Sequence, residues 1–257
     1  MLRLSGPGGH DETDQKGSWG RGVVELVMTG TLLAAATAGG PLLLAIAENG
    51  NASLSTLVLY VAVPAAALVA LLGAASAKLG YHSLYRAIWA GTAFGAVGSL
   101  GLELVRNIGF YAFNAMPGQL PELMGVLITN RVMLGPDLLS NIVGWTDHFW
   151  NGAMFGLTYV LLVGGAPRNR SHWYGAGAGA AFGLLVGTGF LLSPVSRATG
   201  AGIFGSVIGA KYVVVVYLAH SLFGAVLGFL VHRYAQRTTP LWHLLCRAVP
   251  FKALVRA

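Results

Sequence analysis

Two of the seven histidines in this 257-residue chain, His148 and His220, fall inside long apolar stretches. An ionisable group in such a place is costly and faces other protein, paired with something. Both open the same phrase, His-x3-Gly-Ala-x2-Gly, at His148-Gly152-Ala153-Gly156 and His220-Gly224-Ala225-Gly228. Imidazoles from two membrane helices are the axial pair of a b-type haem, and imidazole with carboxylate holds Zn, Mn or non-haem Fe. Glu103 and Arg106 stand three apart, so they share a helix face and can pair. Asp147, His148 and Asn151 fall within about one turn.

His148 and His220 are therefore the candidate residues for an intramembrane cofactor, with b-type haem, a quinone or a divalent metal as its possible identities. For a metal the candidate set is His148, His220, Glu103 and Asp147, and Arg106 and Asn151 complete the polar core. The same residues also support two other readings: a set of structural caps in a Gly-rich bundle, or a path for protons or small solutes. No catalytic set is expected, and enzyme activity is left open. The chain has no phosphate-binding Gly loop, no His-Glu-x2-His motif and no nucleophile elbow.

The elements that position these groups follow from composition. Charged residues make up 10% of the chain, against roughly 25% in a soluble domain. Such a chain cannot cover a soluble surface, and the mean hydropathy of +0.66 agrees. Apolar runs near 23–47, 54–77, 87–106, 142–165, 174–193 and 212–232 predict six membrane helices in an all-α fold. If the fourth helix starts near Asp137, His148 lies about 11 residues, or roughly 16 Å, below its end. His220 lies about 8 residues, or roughly 12 Å, into the sixth.

Six crossings put both ends on one side. Twelve of the 16 basic residues then gather there, among them Arg3, Lys16, Arg21, Lys78, Arg86, Arg168, Arg170 and Arg233. Arg106, Arg131, Arg197 and Lys211 fall on the other side. The richer side is expected to be cytoplasmic, in a bacterial inner membrane. Dispersed charges of this kind speak for topology and against nucleic acid as a partner. The tail from 238 to 257 mixes Trp242 and Leu245 with Arg247 and Lys252, as an interfacial segment would. The single cysteine, Cys246, excludes an internal disulfide.

An internal repeat organises the second half of the chain. Ala90, Gly91, Ala93, Phe94, Gly95 and Gly101 recur as Ala178, Gly179, Ala181, Phe182, Gly183 and Gly189, and the histidine phrase recurs after them. The two copies, 86–165 and 173–233, predict parallel helical hairpins about a pseudo-twofold axis along the membrane normal. The chain thus divides into an N-terminal segment (1–21), a six-span domain (22–237) and the tail. The apolar, Pro- and Gly-broken connection 107–136 is expected to dip into the outer leaflet or cap the bundle.

The phrase from Met116 to Tyr159, with its Pro-Gly-x-Leu-Pro-x-Leu-Met-Gly run, resembles bacterial membrane proteins of no assigned activity, and implies no chemistry. On the residues alone, the expected role is a membrane subunit of a larger complex, of the electron-transferring kind, with lipid and other membrane subunits as partners. The alternatives are a small-solute or ion transporter and a structural or assembly scaffold.

Overall fold

In hydrocarbon every backbone N–H and C=O must find its partner inside the protein, and a helix achieves this within one segment. The computed structural model describes residues 11–165 and 170–248, with side chains from Gly20 to Arg247. Among them there are helices and no strands. Arg3, Arg168 and the tail beyond Ala248 lie outside the described residues, as does the side chain of Lys16. Five helical stretches are long and apolar enough to cross a bilayer: Gly20–Ala38, Leu54–Lys78, His82–Tyr111, His172–Leu192 and Ala210–Tyr234. The protein is an all-helical, multi-pass membrane protein.

In chain order the helices are α1 (Asp11–Ala38), α2 (Leu42–Glu48), α3 (Leu54–Leu57), α4 (Val63–Lys78), α5 (His82–Tyr111), α6 (Leu120–Ile128), α7 (Leu138–Leu162), α8 (His172–Leu192), α9 (Pro194–Ala198), α10 (Ala210–Tyr234) and α11 (Leu241–Ala248). A π turn at Val58–Ala62 joins α3 to α4 and lies just before Pro64, which has no N–H to donate. The expected first span, 23–47, is broken. Gly39, Gly40 and Pro41 end α1 and turn the chain into the separate α2. The break is held from outside, because the Trp150 ring N–H donates to the Gly39 carbonyl at 2.7 Å. A side chain at Gly40 would collide with Met154.

α5 and α7 run antiparallel and touch backbone to backbone. Gly91 lies against Leu157 and the Gly156 carbonyl, Gly95 against Gly152 and Gly156, and Ser99 against Gly152. α8 and α10 do the same, with Gly175 at Gly228, Gly179 at Gly224 and Gly228, and Gly183 at His220. The two pairs carry the repeated sequence in different registers. Gly152 meets Gly95 and Ser99, but its repeat counterpart Gly224 meets Gly179 and Gly183, the counterparts of Gly91 and Gly95. One hairpin is slipped against the other by four residues, a single turn or about 5.4 Å.

The two pairs join through α5 and α10, where Gly98 and Gly101 admit Phe223 and Leu222, and Gly109 admits Val215. α7 and α8 meet through side chains instead, with the Tyr159 and Phe182 rings 5.3 Å apart. The remaining contacts sort themselves to the two ends of the bundle. Arg21 near the start of α1 bonds the Leu79 carbonyl and lies 5.6 Å from the Tyr81 ring. At that same end Thr239 bonds Ser83, and Thr238 bonds Gly165. Both flanks of the described chain therefore stand at one end.

α7 begins at the opposite end. Asp137 caps it by accepting from the Ser140 N–H at 2.8 Å, and the Ser140 hydroxyl oxygen accepts in turn from the Asp137 N–H. α6 crosses α7 where Gly125 and Gly144 let the two backbones touch.

Two outcomes follow for stability in detergent. Gly179→Leu, which drives a side chain into the Gly224 carbonyl, is expected to cost at least about 2 kcal/mol. Gly177→Leu, with nothing within 4 Å, is the matched control and leaves the melting temperature near that of the parent. The Ser140 N–H holds the Asp137 carboxyl below the usual carboxylate range. A depressed carboxyl stabilises above its unfolded pKa of about 3.9 and loses that contribution as pH falls through the folded value. Melting curves from pH 5 downward should thus fall more steeply for the parent than for Asp137→Asn, which caps without titrating.

Candidate functional site

The C-terminal third of α5 carries Glu103, Arg106 and Asn107 on the face that continues its small-residue ladder. Spacing of three and four places all three side chains together. Arg106 Nε donates to Glu103 Oε1 at 2.8 Å, and its Nη2 reaches both Glu103 Oε2 and the Gln119 side-chain oxygen. Asn107 Nδ2 donates to the Glu103 carbonyl at 2.8 Å, and Gln119 Nε2 donates to Asn107 Oδ1 at 3.2 Å. Glu103 and Arg106 are 5% and 4% exposed, so this ion pair is buried and relies on its fork geometry and extra bonds to offset desolvation.

α7 delivers the third member. His148 Nε2 stands 3.0 Å from Glu103 Oε1, at ion-pair distance, but its N–H is not aligned for a hydrogen bond. The Trp145 and Phe149 rings meet the His148 ring edge-on, with centroids 5.9 and 5.8 Å away. The register of α5 on α7 decides this meeting. It carries His148 one turn beyond Ser99, to Glu103. In the slipped hairpin His220 instead lies beside Gly183 and Gly187.

His220 is turned back on its own helix, its Nδ1 2.8 Å from the Val216 carbonyl. A carbonyl only accepts, so Nδ1 carries the proton and Nε2 keeps a lone pair. The Phe190 ring lies 5.6 Å from it.

Both histidines open on one cavity of about 400 Å³. Its walls are mainly apolar and come from α1, α2, α5, α6, α7, α8, α9 and α10, with polar groups that include Ser99, Arg106, His148, Asn151, Tyr212 and His220. The two irregular connections contribute to it. Met116, Pro117, Gly118 and Leu120 come from one, and Ser193 and Thr199 from the other. The connection 107–136 thus forms part of the cavity wall.

The expected site residues divide. His148, His220, Arg106 and Asn151 share the cavity wall, and Glu103 stands behind His148. Asp147 is turned aside and accepts from Asn151 Nδ2 at 3.0 Å. Among the described residues no three of His, Cys, Asp and Glu gather as a metal-holding group. The His148 Nε2 lies beside the Glu103 carboxylate, 3.0 Å from Oε1. Asn107 and Gln119 also belong to the network. Asn107 is legible in the sequence as the residue four beyond Glu103, whereas nothing in the sequence points Gln119 at Arg106.

Glu103→Leu leaves the Arg106 guanidinium buried without its carboxylate and is expected to cost about 3–5 kcal/mol. The double variant Glu103→Leu/Arg106→Met should recover part of that loss. A double-mutant cycle by thermal or denaturant unfolding should then give a coupling above about 0.5 kcal/mol.

No family model, no curated protein and no solved structure matches the chain, so the geometry is the basis for any reading of its function.

Proposed function

We propose that the protein is a six-span inner-membrane subunit that binds a quinone-type amphiphile between its fourth and sixth spans, within a larger, electron-transferring complex. One observation carries this reading: a single, largely apolar cavity receives His148 from α7 and His220 from α10, together with Arg106. Its volume lies within the roughly 300–1,000 Å³ of small-molecule sites, and apolar walls with a few convergent polar groups are the usual form of one. A quinone needs what the wall offers. The one Arg106 N–H not spent on Glu103, Gln119 and the Gly118 carbonyl can donate to a carbonyl oxygen, and the His220 Nε2 lone pair can accept from a hydroxyl of the reduced form.

The six-span count has its own support. α7 is 25 residues long and antiparallel to the spanning α5, but Asp147, His148 and Asn151 make it less apolar than the other five. Both flanks of the described chain stand at one end of the bundle, in keeping with an even number of crossings. The concentration of basic residues at that end favours the cytoplasmic side for it. The repeated sequence and the antiparallel course of both helix pairs support a pseudo-twofold relation, with the one-turn slip as its departure.

A second reading has one specific observation in its favour. Arg106 belongs to a buried ion pair and also faces the cavity, as the polar core of a small-solute or ion transporter would.

Titration of the detergent-purified protein with decylubiquinone, followed by quenching of tryptophan fluorescence, tests the proposal. Saturable binding is expected, weakened about tenfold by His148→Ala or His220→Ala, as loss of one buried hydrogen bond would produce. An absorption spectrum and elemental analysis of the same sample identify haem or metal if either is the ligand. Absence of saturable quinone binding would sink the reading. Uptake into proteoliposomes that is abolished by Glu103→Gln would put transport in its place, and inactivity in both assays would leave the scaffold.

A further inference from the structure

A second pair of histidines lies at the other end of the molecule, far along α8 and α10 from the cavity. His172 is the first residue of α8 and His232 lies in the last turn of α10. Gly175, where any side chain would meet His232 Cβ, lets the two helix ends close, and the imidazole centroids stand 5.3 Å apart. His232 is 1% exposed. Its Nε2 lies 2.9 Å from the Arg170 carbonyl, which only accepts, so Nε2 carries the proton and Nδ1 presents a lone pair. That Nδ1 and the Nδ1 of His172 are both sealed from solvent, and neither has a hydrogen-bond partner. Two unpartnered imidazole nitrogens on rings only 5.3 Å apart call for an explanation, since buried polar atoms are nearly always satisfied.

We propose that His172 and His232 form a binding site for a divalent transition-metal ion of the Zn²⁺ class, held by the two Nδ1 atoms, with water entering its remaining positions from the bundle edge where His172 is partly exposed. The ring spacing agrees with this. A zinc–nitrogen bond of about 2.0–2.1 Å, extended to the ring centre, puts each centroid about 3.2 Å from the ion. A tetrahedral angle then separates the two centroids by about 5.2 Å, whereas a linear arrangement would separate them by about 6.4 Å. The bond from His232 Nε2 to a backbone carbonyl is the arrangement that fixes the tautomer and raises the basicity of a metal-bound imidazole.

The surroundings suit a site at the edge of the bundle. The Phe229 ring, 5.8 Å from that of His172, walls one side, and Trp173 stands 6.0 Å beyond it. Two guanidiniums lie nearby in sequence, and each rests over an aromatic face: Arg170 over Tyr174 at 5.5 Å and Arg233 over Tyr234 at 5.3 Å. Imidazole selects Zn²⁺, Ni²⁺ or Cu²⁺ over Mg²⁺ and Ca²⁺, which take oxygen.

The test uses the full chain, purified without a histidine tag, stripped with chelator and titrated with ZnCl₂, with bound zinc counted after gel filtration. One zinc per chain is expected, retained in His148→Ala and His220→Ala and weakened at least tenfold in both His172→Ala and His232→Ala. Co²⁺ in place of Zn²⁺ should give the visible absorption of a tetrahedral site, lost in the same two variants. His172→Ala decides alone if the buried His232→Ala does not fold. No zinc on the parent protein, zinc unaffected by His172→Ala, or zinc lost only in the His148 or His220 variants would each overturn the proposal. None of these results depends on whether the cavity binds quinone.

Discussion

Small residues four apart, Gly91, Gly95 and Ser99 on α5 and Gly175, Gly179 and Gly183 on α8, let α5 meet α7, and α8 meet α10, backbone to backbone. In lipid no hydrophobic force drives one apolar helix onto another, so close van der Waals contact must hold them together. The rest of the structure depends on this approach. It fixes which residues of facing helices share a level, brings His148 to Glu103, and draws the helix ends together at Gly175. It also leaves large side chains on the outer faces, where Leu185, Leu218 and Trp89 are exposed to lipid.

The buried ion pair is held by its surroundings as much as by its own charges. Arg106 spends four of its five N–H donors on Glu103, Gln119 and the Gly118 carbonyl, so a loop that lines the cavity is tied to the helix that carries the charge. Breaking such a network exposes a desolvated charge, which is why its members act together. The same arrangement gives the cavity its polar rim. Arg106 and His148 present themselves to the interior from positions that the network has already set.

The one-turn slip between the hairpins separates two histidines that the sequence makes equivalent. In one copy the imidazole stands against a carboxylate. In the other it stands against glycine and bonds its own helix. Repeated sequence has produced two different chemical environments around one cavity, and this asymmetry gives the cavity one ionic wall and one neutral wall.

The sequence by itself determined the helices, their membrane setting, the small-residue faces and the Glu103–Arg106 pair, because each of these rests on local spacing or on the burial of long apolar runs. The end of the first helix was partly legible in Gly39-Gly40-Pro41, but the apolar run continues through it, and hydropathy has no means of registering a turn held by Trp150 from another helix. Only the tertiary structure decided which histidine meets which carboxylate. A ladder of glycines four apart offers the same surface after each turn, so sliding by one turn leaves the local packing almost unchanged. Register on such a face is set by contacts far along the chain, as is the reach of Gln119 to Arg106.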